Sequence, residues 1–145
     1  LAVQAILKKK EVPAANIIPA VIFTDPEIAY CGLTEKQAKE QKIDVRVVKY
    51  PWMANGRAVS LDRTDGFTKL IFDAKSQKLL GAGIVGVEAG ELIAQALLSL
   101  GTGADTKTLA ATVYPHPTLS ETFKECLELS LKENVSASRR SSAEC

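Results

Sequence analysis

The sequence predicts an α+β domain, an antiparallel sheet covered by helices. Two observations carry this expectation. The segments 20–24, 44–50, 67–72 and 78–86 are short, rich in apolar or β-branched residues, and separated by turn signals. Behind them stands a helical pattern at 88–100, where Leu92, Ala96 and Leu100 form one i, i+4 row and Ile93 and Leu97 a second. Such a wide apolar stripe suits a helix lying on one face of a sheet. The length of 145 residues is about one domain's worth, and 46% apolar with 24% charged residues is an ordinary globular balance. The expected inventory is three or four core strands, hairpin-connected, followed by two or three helices.

Residues 1–10 read as the end of a helix, with Lys8, Lys9 and Lys10 at the negative end of its dipole. A linker with Pro13 follows, so that 1–17 form a lead-in, 18–133 the domain, and the Ser-rich segment 134–145 a frayed, disordered tail. Ala20 to Thr24 reads as a strand, broken by Asp25-Pro26, and Glu27 to Gly32 as a further extended run. Thr34 with Gln37 is a capping box opening a short helix near 35–41. The alternating run Asp44 to Tyr50 is a strand, and 51–57 a long connection with a turn signal at Asn55-Gly56. Phe67 to Phe72 and Lys78 to Gly86 are strands joined by a polar hairpin at 73–77. Gly101 and Gly103 end the 88–100 helix, and Asp105 caps a short helix near 106–111. Pro115 and Pro117 exclude a helix around His116. The last helix aligns Phe123, Cys126, Leu127, Ser130 and Leu131 on one face.

Charge and apolar pattern exclude several classes. Eighteen basic against seventeen acidic residues leave a net charge of +1, so no nucleic-acid footprint stands out. No apolar run reaches the ~18 residues of a membrane span, and no secretory pattern is present. A start at Leu1, within a helical pattern, suggests a piece of a longer protein. Cys31, Cys126 and Cys145 have no C-x-x-C or Cys/His arrangement. That spacing offers neither a zinc site nor a local redox pair, and points to a reducing compartment such as cytoplasm.

Two motifs could carry chemistry. Gly81, Gly83 and Gly86 spell G-x-G-x-x-G before a helix, with Asp105 at the distance of a ribose-binding acid. A dinucleotide fold would need a second buried strand where Gly101 to Ala104 stand, so the better reading is a strand whose glycines admit close backbone approach. The other motif is Tyr114 to Glu121, with the one histidine of the chain, His116, between two prolines. Glu121, in the first turn of the last helix, could orient one imidazole nitrogen and leave the other for proton transfer. The alternative is structural: Thr118 and Glu121 match a capping box, and His116 simply packs at a turn. The short basic runs at 8–10 and 139–140 read as solvated surface.

Several stretches in order resemble one family. They are Ile18 to Ala29, Gly32 to Glu35, Asn55 to Ala58, Gly66 to Leu70, Gly83 to Gly86, Gly90 to Ile93, and His116-Pro117-Thr118 with Glu121. Together they resemble the C-terminal dimerisation domain of pyridine nucleotide-disulfide oxidoreductases, from about Ile18 to Leu131. The sequence is most similar to the dihydrolipoyl dehydrogenase branch. Lone Glu121, without a second adjacent glutamate, fits glutathione reductases less well. His116 with a single Cys145 fits mercuric reductases less well, while soluble transhydrogenases share the histidine. Tyr114-Pro115 departs from the small or histidine residues common in the branch.

The resemblance implies a homodimer in which His116, oriented by Glu121, acts as acid–base on the partner's flavin and disulfide site. It implies a cis His116–Pro117 peptide. It implies FAD and NAD as cofactors of the intact enzyme, a dihydrolipoamide-type dithiol as substrate, and a 2-oxo acid dehydrogenase complex as partner. Location would be the cytoplasm or an organelle matrix. The flavin and nicotinamide domains and the redox cysteine pair would lie upstream, so the domain alone would bind no cofactor and be inactive. Its two-fold contact is expected from Tyr114–Leu131 and the 88–100 helix.

Overall fold

The computed structural model describes residues 17–141, with side chains to Lys132. The helix expected at 1–10 and Cys145 lie outside the described residues. The elements are β1 (Ala20–Ile22), β2 (Glu27–Gly32), α1 (Glu35–Glu40), β3 (Val45–Pro51), a 3₁₀ turn (Trp52–Ala54), α2 (Gly56–Ser60), β4 (Phe67–Asp73), β5 (Leu79–Gly86), α3 (Ala89–Thr102), α4 (Thr106–Ala111) and α5 (Glu121–Ser141).

All five strands join one antiparallel sheet in the order β1-β2-β5-β4-β3. The chain makes the β1–β2 hairpin, crosses through α1 to the far edge, and returns by the meander β3-β4-β5. β5 therefore lies in the middle, pairing Glu27 to Gly32 on one side and Phe67 to Phe72 on the other. The fifth strand exceeds the expected core count because β1 is a three-residue edge piece, registered Ala20 opposite Tyr30.

Alternation puts Ala29, Cys31, Val48, Thr68, Leu70, Phe72, Ala82 and Ile84 on the buried side. There α3 covers β2 and β5, while α5 covers β3 and β4. Phe123, Cys126 and Leu127 of α5, with Ile93 and Ala96 of α3, are spent in this core. A two-fold contact from these helices must therefore use their other side chains, such as exposed Leu98. On the opposite face Lys49 sits 3.7 Å from the Phe67 ring centre, and Lys69 pairs with Glu35 at 2.6 Å.

Local chemistry sets the boundaries as expected at several ends. Thr34 and Gln37 close the capping box of α1. Asp105 accepts from the amides of Lys107 and Thr108 at the start of α4. Gly103, at φ +63, ends α3, while Gly101 lies inside it. The start of α3 is capped from another element, since the Glu27 carboxylate accepts from Gly90 N–H at 2.9 Å.

The region 51–60 departs from the expected long connection. Asn55 makes no hairpin turn. Its Oδ1 accepts from Ala58 N–H at 2.9 Å and so caps α2. Asparagine serves turns and helix caps through the same short amide, so the dipeptide alone cannot tell them apart. Trp52, fully buried, anchors the segment to β4. Its indole N–H donates to the Thr68 hydroxyl, which donates to the Thr122 hydroxyl, which donates to the Leu119 carbonyl. Each hydroxyl gives its proton onward, so this buried chain is satisfied along its length. It ties the 3₁₀ turn, β4 and the start of α5 together.

The glycine motif lies wholly within β5. A Cβ at Gly81 would strike the Leu33 backbone, which hydrogen-bonds Leu80 at 2.8 Å, and one at Gly86 would enter the Trp52 ring. Gly81 and Gly86 make room for protein neighbours, and the motif forms no phosphate turn. The Cys31 thiol is pushed up to about 11 by burial, and Cys126 donates its thiol proton to the Val48 carbonyl.

Candidate acid–base site

Residues 112–120 bridge α4 to α5 without regular structure. The His116–Pro117 peptide is cis, as is Asp25–Pro26. The segment ends where α5 begins, so Glu121 occupies the first turn, the favourable place for an acid.

The structure brings the two sequence-predicted residues together. His116 Nδ1 lies 2.9 Å from Glu121 Oε1. The second carboxylate oxygen, Oε2, accepts from Thr118 N–H at 2.8 Å. The Thr118 hydroxyl donates to the Pro115 carbonyl at 2.8 Å. The two readings of Glu121 are thus compatible: one oxygen holds the backbone and the other holds the imidazole.

Charge follows from these bonds. The Thr118 amide first, and the His116 contact after it, hold the Glu121 carboxyl below its usual range against the opposing effect of burial. Glu121 is therefore ionised at neutral pH, and an ionised carboxylate only accepts. Nδ1 must carry the proton, which leaves Nε2 of the neutral ring as a lone-pair acceptor. Among the described residues nothing hydrogen-bonds Nε2. The His116 side chain is 79% exposed and Glu121 20%. The pair is a surface-presented imidazole on a sheltered carboxylate.

A pH dependence follows. A carboxyl whose folded pKa is depressed adds stability above its ordinary value, about 4.3, and loses it as pH falls through the folded value. The melting temperature of the unaltered chain should therefore exceed that of Glu121→Gln at neutral pH. The gap should close below about pH 4. A gap that persists at low pH would show that the charge of Glu121 is not what holds the segment.

Tyr50 and Tyr114 border this region. Burial raises both phenols, with Glu125 and Glu121 adding to the effect at Tyr50. Asn55, singled out in the sequence only as a turn signal, also reaches the segment: its Nδ2 donates to the Thr118 carbonyl at 3.1 Å. Among the described residues there is no cluster of three or more metal-ligating side chains. None of the described helices is long and apolar enough to cross a membrane.

Comparison with known proteins identifies the family of the fold. Residues 18–127 match the family described as pyridine nucleotide-disulphide oxidoreductase, dimerisation domain. Dihydrolipoyl dehydrogenase of Buchnera aphidicola from Schizaphis graminum is 42% identical over 129 residues, covering 89% of this chain and 27% of that protein. The Bacillus subtilis dihydrolipoyl dehydrogenase is 43% identical over 114 residues, covering 79% of this chain and 24% of that protein. Among solved structures, the HOCl-induced flavoprotein disulfide reductase RclA of Escherichia coli superposes with a TM-score of 0.79 at 30% identity, covering 88% of this chain and 30% of that one. The chain thus spans about a quarter of the length of these relatives. With a match over most of its length, an antiparallel sheet carried under helices, and relatives above 40% identity, the chain belongs to the dimerisation-domain family of the pyridine nucleotide-disulphide oxidoreductases.

Proposed function

We propose that this domain pairs with a second copy in a dihydrolipoyl dehydrogenase-like flavoenzyme and supplies His116 as a general base to the partner's disulfide site. The observation that carries the reading is the division of labour on Glu121. Its two oxygens hold Thr118 N–H and His116 Nδ1, and Nε2 faces outward with a free lone pair.

The substrate class is a dithiol such as dihydrolipoamide. A thiolate attacks a disulfide far faster than a thiol does. Nε2 takes the thiol proton, and the sulfur electron pair forms a bond to one disulfide sulfur while the other leaves as thiolate. Glu121 stabilises the imidazolium that results, and holds the ring in the tautomer that can accept. A proton-transfer role of this kind contributes about 10²- to 10⁴-fold.

The intact enzyme would use FAD and NAD, whose chemistry is the transfer of electrons from the dithiol to nicotinamide. The glycines of β5 lie within a strand and form no phosphate-binding turn, and protein atoms crowd Gly81 and Gly86. Cofactor binding is therefore assigned to other domains. A second copy and a 2-oxo acid dehydrogenase complex are the proposed partners. Val113 and Met53 present apolar side chains to solvent on the segments that carry His116 and Asn55, as a surface covered by another chain would.

Intersubunit complementation tests the reading. A heterodimer is assembled from one full-length subunit carrying His116→Gln and one lacking the redox cysteines. If the base acts across the interface, one intact site forms and about half the native activity returns, although each parent homodimer is inactive. An inactive heterodimer would overturn action in trans.

A further inference from the structure

We propose that Asn55 is a positioning residue for the His116–Glu121 pair, acting through the Thr118 peptide; the inference rests on the base role proposed for His116. Asn55 is 4% exposed, so both ends of its amide need partners. Oδ1 caps α2 through Ala58 N–H at 2.9 Å, a task that Asp, Ser or Thr performs equally well. Those residues lack the second group. The Asn55 Nδ2 donates across 63 residues of chain to the Thr118 carbonyl at 3.1 Å. The cap alone does not call for a carboxamide; the bond to Thr118 does.

Asn55 can serve as a fixed reference. Its own N–H donates to the Trp52 carbonyl at 2.9 Å, and Trp52 N–H donates to the Gly66 carbonyl at 3.0 Å. Thr118 is then held at three points: its carbonyl by Asn55, its N–H by Glu121, and its hydroxyl on Pro115. With the first point removed, the 118–119 peptide is free to turn about the Thr118 Cα, and the Thr118 amide, in the neighbouring peptide, loses one of the three constraints on its direction. That amide is the leading cause of the depressed Glu121 carboxyl. The His116 ring, largely exposed, has little packing to orient it apart from Glu121. Misdirection at Thr118 therefore passes through the carboxylate to the ring.

The chain has one histidine, so its imidazole ¹⁵N spectrum reports this ring alone. In the unaltered chain the neutral ring should be mainly the Nδ1–H tautomer. Asn55→Asp keeps the helix cap and loses the donor, and Asn55→Ser keeps the cap on a shorter side chain without the carboxamide and without adding charge. Either should shift the ring toward the Nε2–H tautomer without unfolding α2. In the full-length enzyme Asn55→Asp should lower dithiol-dependent turnover by about 10- to 100-fold, while reduction of the flavin by NADH is unchanged. Folded variants with native tautomer and native turnover overturn the inference. So does rapid exchange of the Asn55 side-chain amide protons in the unaltered chain, a measurement that requires no variant. If His116→Gln leaves turnover intact, the base reading itself fails. If His116→Gln is crippled while Asn55→Asp is native, only the positioning role fails.

Discussion

In the proposed full-length flavoenzyme, His116→Gln is expected to lower dithiol-dependent turnover by about 10²- to 10⁴-fold, with flavin content unchanged. Glutamine can occupy similar space and can hydrogen-bond, but it cannot accept a thiol proton near neutrality. The loss should fall on the step that deprotonates the dithiol. It should spare steps that need no base, such as reduction by NADH. Stopped-flow traces of the two half-reactions separate them. Equal loss in both, or a loss accompanied by flavin release, would point to a structural role for the histidine in place of a chemical one. The expectation rests on an Nε2 that no described residue covers and an Nδ1 tied to an ionised acid.

Trp52→Ala should have the largest effect on stability, about 3–5 kcal/mol, against a total of about 5–15 kcal/mol for a domain. Trp52 is fully buried, and its ring lies over Gly86, where any Cβ would collide with it, and close beside Gly66. Its N–H also begins the buried chain through Thr68 and Thr122 to Leu119. Truncation opens a cavity and leaves the Thr68 hydroxyl short of a donor. Urea unfolding followed by circular dichroism gives the difference, since the substitution removes the chain's one tryptophan fluorophore. A loss below about 1 kcal/mol would mean the surrounding residues collapse into the space. Trp52→Phe should be milder, because the ring volume largely remains.

Much of the fold is legible in the chain because the forces that start and stop its elements are local. The capping box at Thr34 and Gln37, the Asp105 cap and the Gly103 stop each act within four residues. The alternation in β3 and the two apolar rows of α3 give period and face directly. The spacing of His116 and Glu121 brought forward two residues that meet in the structure but left two roles open, a helix cap or a catalytic pair. A carboxylate has two oxygens, and only their separate directions in space show that one holds Thr118 N–H while the other holds the imidazole.

By itself, then, the sequence determined the strands, the helices, the pairing-competent spacing around His116 and the family to which the chain belongs. Tertiary structure alone decided what Asn55 reaches and which atoms crowd the β5 glycines. Asn55-Gly56 reads as a turn because its signal is local, whereas its bond to Thr118 depends on how the two segments meet. Gly81, Gly83 and Gly86 spell a nucleotide motif that the sequence already favours as a strand admitting close approach, but only the structure names the neighbours, Leu33 beside Gly81 and Trp52 beside Gly86. The physical reason is common to both. A backbone or side-chain group of fixed chemistry takes its meaning from the atom opposite it, and that atom is placed by packing between elements distant in sequence.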